Sequence, residues 1–406
     1  MKLTGKIKAS EIGEKILSDK YNSMIFSLGK NFEIYIVGGY IRDILLGKKD
    51  IDRDYVIKGD PDAFLKQLRK KTGGKVIYLG NKQLYRLMLK NGTVMDFTKL
   101  YKGKIEKDLS ERDFTINAIA WSPETGLIDI YNGVRDISDG IIRMISRNNI
   151  IKDPIRILRA YRLAGEMSFE IEENTRKCLK EYNLLLRDAK TERITLEFFK
   201  VISIKTPFSV LNMMYKDRII NTLISLTNRE LQPKLNVINN IQKIFNEIPL
   251  RFKIKLDNTF SQNLTYRGLV RLEIILSGLP DNMFSLSSKI TKRIKTVDKA
   301  RKSLQNNMLK KDDNLFDALM ITRDAYLDLL IIKNIANRID DAERFTMIIK
   351  KGILSTQEII AEINNIHKKE IIGQIIAKMR RAEFLKEIKS KKDARKYLER
   401  IISNLT

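Results

Sequence analysis

A single cysteine and a single histidine occur in 406 residues. A disulfide within the chain is therefore impossible, and zinc sites built from Cys and His are excluded by count. His367 lies far in sequence from every motif described below, which argues against a histidine-based triad. Cys178 falls in a helical pattern and reads as a core filler. Acidic residues are also in short supply: 50 Asp and Glu stand against 76 Lys and Arg, a formal charge of +26. An excess of that size on a folded protein points to a polyanionic partner, nucleic acid first and an anionic membrane surface second. Long apolar runs are missing too. No stretch approaches the roughly 18 residues that span a bilayer, and the segment from Met1 to Lys6 lacks the apolar core of a signal peptide. The expected location is the cytoplasm, and the chemistry is left to carboxylates, arginines, lysines and a hard metal ion.

What the chain does have is enough apolar content, 43%, for well-packed cores, over a length that suggests two to four domains. The most informative stretch is 37–57. An apolar run, Ile34 to Val37, reads as a buried strand. Gly38-Gly39 follows, then a short helix carrying Arg42 and closed by Gly47. The next strand, Ile51–Ile57, presents Asp52 and Asp54 on one face, because residues two apart on a strand point the same way. Gly-Gly after a strand is commonly just a tight turn, and Asp-x-Asp is common in loops. In this order and spacing they make a backbone-lined phosphate cradle, an arginine and a carboxylate pair able to share a metal. That combination suits phosphoryl or nucleotidyl transfer.

The first 145 residues alternate strand and helix signals. Strands are expected at Glu33–Val37, Ile51–Ile57, Lys75–Tyr78, Leu84–Leu89 and Thr93–Phe97, with a weaker one at Leu127–Ile130. A helix is expected over Pro61–Arg69, capped by Asp60. Beyond 146 the apolar spacing becomes three and four, the helical period. Helices are expected at Ile155–Leu163, Thr195–Ile204, Phe208–Met214, Leu231–Phe245 and Leu264–Leu276, and over most of Asp312–Ile402. Asp281, Ser285, Ser287 and Ser288 mark a junction before a basic run, Lys289 to Lys302.

Further clusters carry chemistry. Asp96, on a neighbouring strand, can complete a metal site or help deprotonate an attacking hydroxyl, and it also suits a helix cap. Arg112 suits a triphosphate, and Asp113 with Asn117 suits a ribose and the local backbone; the same residues suit an amphipathic helix start. Asp153-Pro154 reads as a helix start, followed by Arg156, Arg159 and Arg162 along one drifting face. A carboxylate accepts hydrogen bonds and a guanidinium donates them. Cytosine and adenine offer an amino donor beside a ring acceptor, so Asp153 with Arg156 can choose C or A by the pairing edge, without a template. Thr191 or Glu192 can cap the helix that runs through Phe199, and Glu192 can steady one of the preceding arginines. Lys292, Arg293, Lys295, Arg301 and Lys302 suit a grip on an RNA backbone, or a solvated helix face.

Taken together, Gly38-Gly39-x-x-Arg42-Asp43 with Asp52-x-Asp54, Arg112-Asp113-Phe114-Thr115-x-Asn117-Ala118, Asp129 to Gly133, Asp153-Pro154-x-Arg156-Ile157-Leu158-Arg159-Ala160 and Glu192-Arg193-Ile194 resemble a class II tRNA nucleotidyltransferase, of the superfamily of CCA-adding enzymes and bacterial poly(A) polymerases. The motifs span about residues 33 to 200 in the family's order. The resemblance implies an α+β fold shaped like a seahorse. A mixed-sheet α/β nucleotidyltransferase head covers 1–145, a helical neck for nucleotide selection 146–205, a helical body 206–285 and a basic helical tail for tRNA binding 286–406. It further implies Mg²⁺ on Asp52 and Asp54, with Asp96 as a further catalytic candidate. Gly39 and Arg42, beside Gly38, contact the incoming nucleotide. Arg112, Asp113, Asn117, Asp153, Arg156, Arg159 and Arg162 match further nucleotide-binding positions. The implied activity adds C, C and A to the 3′ end of tRNA from CTP and ATP, with release of pyrophosphate.

Two departures bear on that expectation. Lys152 stands where the family usually has Glu, and the segment from Asp96 to Arg112 is short where full CCA-adding members tend to carry a longer flexible loop. A CC-adding enzyme is therefore the first alternative. An A-adding enzyme, a poly(A) polymerase and a non-catalytic RNA-binding protein follow.

Overall fold

A computed structural model describes residues 9–29, 32–48, 52–79, 84–280, 283–303, 311–363 and 369–403. Asp281 and His367 lie outside the described residues. The chain forms two compact units that meet at Ser225 and Leu226 in sequence. The fold is α+β, with a mixed sheet near the N-terminus followed by many helices.

The first unit opens with two helices, α1 (Ala9–Ser18) and α2 (Lys20–Leu28), which the sequence pattern did not reveal. The sheet follows: β1 (Ile34–Val37), β2 (Arg53–Ile57), β3 (Lys75–Leu79), β4 (Leu84–Met88), β5 (Val94–Lys99), β6 (Ala120–Ser122) and β7 (Gly126–Ile128), in the spatial order β3-β4-β5-β2-β1-β6-β7. All six expected strands lie within two residues of their predicted ends, with Ile51 outside the described residues. Every neighbouring pair is antiparallel except β2 and β5. That parallel pair sets Asp54 beside Asp96, and β4 sets Arg86 on the other side of Asp96. Helix α3 (Gly39–Leu45) leaves β1, and α4 (Pro61–Thr72) runs from the predicted Asp60 cap to Gly73, whose left-handed backbone ends it. One face of the sheet buries Tyr55 stacked on Phe97 at 4.9 Å, with Phe26 and Phe64 from α2 and α4 against them. On the other face Tyr35, Val37 and Val56 pack with Ile105 and Leu109 of α5 (Ile105–Ser110).

After the sheet come α6 (Gly133–Asp139), a two-residue strand β8 (Ile141–Ile142), α7 (Arg147–Lys152), α8 (Ile155–Met167), β9 (Glu170–Ile171), α9 (Glu173–Glu181), α10 (Thr191–Ser203), α11 (Phe208–Lys216) and α12 (Ile219–Ile224). The apolar face of α8, including Ile157, Leu158 and Tyr161, is fully buried, so its arginines are left on the opposite side. The parallel pair β8–β9 departs from the all-helical expectation beyond 146, although each strand is only two residues long.

The second unit contains α13 (Asn228–Glu247), α14 (Leu250–Asp257), a hairpin of β10 (Thr259–Ser261) and β11 (Leu264–Thr265), α15 (Tyr266–Leu276) and α16 (Ser288–Ser303). Six further helices run from Asp312 to Ser403. The hairpin is a second departure: Leu264 was expected to open a helix. Gln262 reverses the chain at φ 47°, and the hydroxyl of Thr265 accepts from the Gly268 amide, so the helix begins only at Tyr266.

Arg293 also departs from expectation. It is buried, with Nε donating to Asp328 at 2.6 Å and Nη1 to Asp324 at 2.6 Å, so it is spent inside the second unit. Lys292, Lys295 and Lys302 on the same helix are exposed and Arg301 is partly so, although Lys302 pairs with Asp298 at 2.7 Å. Arg293→Ala should cost about 3–5 kcal/mol of stability, because it strands a buried carboxylate. Lys292→Ala should change it by no more than about 0.5 kcal/mol. Urea titrations of the two variants check this, and equal midpoints would remove the burial argument.

Candidate active site

The site starts where β1 ends. Gly38 adopts φ 72° and ψ −134°, a conformation open essentially to glycine, and its amide donates to Ile119 O at 3.1 Å. A Cβ at Gly38 would sit 2.8 Å from Arg112 Nη1, and one at Gly39 3.0 Å from Arg42 Nη2. Both glycines are thus needed for close approach of a guanidinium to the backbone. Arg42 grips Asp43 with two bonds of 2.9 Å and donates from Nη1 to Asn117 Oδ1 at 2.5 Å. Arg112 is held by Asp108, through a bond of 2.9 Å from Nη2.

Asp113 lies beneath these residues, buried. Its Oδ1 accepts from the Phe114 amide at 2.8 Å and from Asn117 Nδ2 at 2.9 Å, and its Oδ2 accepts from Arg159 Nε at 2.8 Å. Burial pushes the Asp113 carboxyl up, but the Arg159 charge and these hydrogen bonds outweigh it and hold the group at about 2. The other arginines of α8 are equally committed. Arg156 donates to the carbonyls of Glu111 at 2.7 Å and Arg112 at 3.1 Å. Arg162 donates to Glu197 at 2.8 Å and Glu166 at 2.7 Å. Asp153 accepts from Arg193 Nη2 at 2.9 Å and lies 3.9 Å from Arg156 Nε.

Every candidate of the first 200 residues except Asp96 lines one cleft of about 480 Å³, namely Gly38, Gly39, Arg42, Asp52, Asp54, Arg112, Asp113, Asn117, Asp153, Arg156, Arg159 and Arg162. The cleft also takes in Asp43, Arg193 and Lys200, which were not singled out as binding residues. Asp43 and Arg193 were legible in the motifs. Lys200 was not: it is near only because α10 brings it round to Glu197 at 3.1 Å. The carboxylate that steadies the α8 arginines is likewise Glu197 rather than Glu192. Neither Thr191 nor Glu192 caps α10: the cap position is Lys190, with no side-chain hydrogen bond.

Asp96 lies apart from the other candidates, outside the residues that line the cleft. The register puts it beside Asp54, but Arg86 takes both its oxygens, at 2.8 and 2.7 Å. Among the described residues no trio of carboxylate, histidine or cysteine side chains is placed to hold a metal. The pair Asp52 and Asp54 remains in the cleft lining, with Asp52 exposed and Asp54 partly buried. Burial pushes the Asp54 carboxyl up; Arg112 pulls it back, and the charges of Asp96 and Asp52 raise it again, to about 6. Two oxygen-donor carboxylates fit a hard divalent cation.

Three measurements follow from this geometry. Asp54 sits above its ordinary value, so the native state holds a proton that the unfolded chain has already lost. Stability from this group is therefore fullest below about pH 4 and falls as pH rises to about 6. Asp54→Asn should remove that slope and gain up to about 2–3 kcal/mol over wild type above pH 6. Millimolar Mg²⁺ at pH 7.5 should raise the melting temperature of wild type and not of the variant; equal shifts would contradict the assignment. Gly38→Ala should cost about 1–3 kcal/mol from its backbone conformation alone, read by thermal melting, and an unchanged melt would contradict it.

Comparison with known proteins agrees with the geometry. Residues 34–102 and 89–143 match the poly A polymerase head domain, and 168–231 match the probable RNA and SrmB-binding site of polymerase A. The A-adding tRNA nucleotidyltransferase of Aquifex aeolicus is 34% identical over 209 residues, 47% of this chain and 25% of that protein. The CC-adding tRNA nucleotidyltransferase of Synechocystis sp. is 35% identical over 167 residues, 40% of each. The chain thus matches less than half the length of either relative. The structure of the Thermotoga maritima CCA-adding enzyme complexed with tRNA has the same fold, with a TM-score of 0.75 at 24% identity over 98% of both chains. Residues 34–143 thus carry the poly A polymerase head domain, and the chain as a whole has the fold of the CCA-adding enzyme.

Proposed function

We propose that this chain is a template-independent tRNA nucleotidyltransferase that builds or repairs the 3′ CCA end from CTP and ATP. The reaction joins the terminal 3′-hydroxyl oxygen of tRNA to the α-phosphorus of a nucleoside triphosphate. The α–β phosphoanhydride bond breaks and pyrophosphate leaves. The observation that carries this reading is the cleft itself, where a carboxylate couple shares the lining with arginines and a glycine turn.

Asp52 and Asp54 would hold divalent cations, Mg²⁺ in the first instance, which when bound activate the hydroxyl and stabilise the departing phosphates. The chain itself supplies position and charge. The backbone at Gly38 and Gly39 admits phosphate oxygens closely, and Arg42 and Arg112 face them from either side. Asp153 and Arg156 offer the acceptor and donors that suit the pairing edge of C or A, with Arg193 steadying the aspartate. In this reading residues 1–145 act as head, 146–205 as neck, 206–285 as body and 286–406 as tail. Lys292, Lys295, Arg301 and Lys302 contribute charge toward the tRNA backbone, without reading its sequence.

Addition of CC alone is the second reading, and one observation favours it. The connection after Asp96 is short and folded, a turn at Tyr101–Gly103 followed by α5, whose Asp108 holds Arg112. The test is incubation with Mg²⁺, four NTPs and tRNA ending at the discriminator base, followed by sequencing of 3′ ends. Ends in CCA are expected. Ends in CC would select the second reading, a long A tail would select a poly(A) polymerase, and no extension would refute transferase activity. Asp52→Ala should abolish incorporation while leaving tRNA affinity unchanged, and an active variant would remove the carboxylate pair from the mechanism.

A further inference from the structure

Arg53 lies between the two cleft carboxylates in sequence, and strand alternation sends its side chain to the opposite face of the sheet. There it is only 18% exposed. Its guanidinium meets Asp19, the residue that joins α1 to α2, through a bond from Nε to Oδ1 at 3.3 Å and a second from Nη2 to Oδ2. The same Asp19 caps α2, accepting from the amides of Tyr21 at 3.0 Å and Asn22 at 3.1 Å. Burial raises the Asp19 carboxyl, but Arg53 and these amides bring it below its ordinary value, so it stays ionised.

Two aromatic rings complete the seat. The guanidinium carbon lies 5.3 Å from the ring centre of Tyr21 and 6.0 Å from that of Tyr40. Tyr40 is the residue directly after Gly38-Gly39, and its hydroxyl accepts from Asn22 Nδ2 at 2.5 Å. Asn22 Oδ1 in turn accepts from Tyr55, one residue past Asp54. The Tyr21 hydroxyl accepts from Asn91 at 2.7 Å, in the turn that leads into β5. One anchored cation thus ties together the α1–α2 corner, the glycine turn and β2, the strand that carries Asp54 and follows directly on Asp52.

We propose that Arg53 is a positioning residue: locked behind the sheet by Asp19, Tyr21 and Tyr40, it fixes the pleat that turns Asp52 and Asp54 together into the cleft. The inference rests on reading those aspartates as cation ligands. An arginine whose only role was packing would set the stability of the head. One that sets the pleat also sets the spacing of two oxygen donors, which a hard cation senses directly.

The test uses Mn²⁺ as probe, with affinity measured by electron paramagnetic resonance in the absence of tRNA and NTP. Melting temperature is recorded alongside, and kcat and KM for CTP are measured well below the melt. Arg53→Ala should weaken Mn²⁺ binding by about ten- to a hundredfold and lower kcat by a comparable factor, with KM for CTP little changed. Asp19→Asn should do the same to a lesser degree. Arg53→Lys should recover part of the affinity, and the double variant Arg53→Ala with Asp19→Asn should be no worse than Arg53→Ala alone. Should Arg53→Ala not fold, Arg53→Lys and Asp19→Asn carry the comparison. Wild-type Mn²⁺ affinity and kcat in folded variants would overturn the proposal and leave Arg53 a stability residue. Absence of Mn²⁺ binding by wild type would instead overturn the reading of the carboxylate pair on which it rests.

Discussion

Most of the cleft depends on one buried carboxylate. Asp113 is the junction where α8 meets the sheet: one oxygen takes Arg159 from the helix, and the other takes Asn117. Asn117 passes the connection to Arg42, which grips Asp43 beside the glycine turn. A carboxylate this deep would be costly were it alone, since an unpaired buried charge forfeits several kcal/mol of hydration. Arg159, Asn117 and the Phe114 amide together more than offset that cost, as its depressed value of about 2 records. The group therefore stays ionised wherever the protein is folded at ordinary pH, and the chain of contacts from α8 to the glycine turn stays closed.

That closure sorts the charges of the cleft. Asp43, Asp113 and Asp153 each answer an arginine, Arg42, Arg159 and Arg193 respectively. Glu197 answers Arg162 and Lys200. Asp96 has the register of a site residue and the partner of a structural one. What is left is asymmetric: Asp52 and Asp54 share the cleft lining with Arg42, Arg112, Arg156, Arg159, Arg162 and Arg193. Such a division suits a ligand that is itself an anion bound to a cation, because each half of the ligand meets the charge it lacks.

The sequence was legible where local rules decide the outcome. Glycine pairs, proline after aspartate and alternating apolar residues placed the six strands and the head of α8; the motifs and the family they resemble supplied the cleft residues, Asp43 and Arg193 within the motifs only, except those that arrive by packing. Lys200 and Glu197 belong to the second kind, since only the crossing of α10 over α8 brings them to the arginines. Arg293 was misplaced for a related reason. Its neighbours in sequence are basic and exposed, and only Asp324 and Asp328, more than thirty residues away, show that its own direction is inward. The ion pair of Asp96 with Arg86 was not legible because register alone sets that residue of β4 opposite it. The small strands were missed because two or three residues give no period to read.

Helices α7 and α8 hold more than their own charged side chains. Asn149 of α7 donates to the carbonyls of Ser110 at 2.7 Å and Arg112 at 2.8 Å, and Lys152 pairs with Glu111 at 3.0 Å. Arg156 binds two of the same three residues through their carbonyls. Residues 110–112 are therefore clasped from α7 and α8, and Arg112 is held at the cleft by that clasp as well as by Asp108. Lys152, unusual beside Asp153 in the resembling family, serves this clasp and leaves the aspartate to Arg193. In the proposed reaction the consequence is a coupling. The donors of Arg156 that suit a base edge are the ones that now bind the backbone beside Arg112. A base that engaged them would release bonds worth about 1.5–3 kcal/mol each to a charged donor, and would loosen the seat of the phosphate-facing arginine in the same step. Base choice and phosphate grip then become one equilibrium, with a base that fails to satisfy Arg156 leaving the clasp closed.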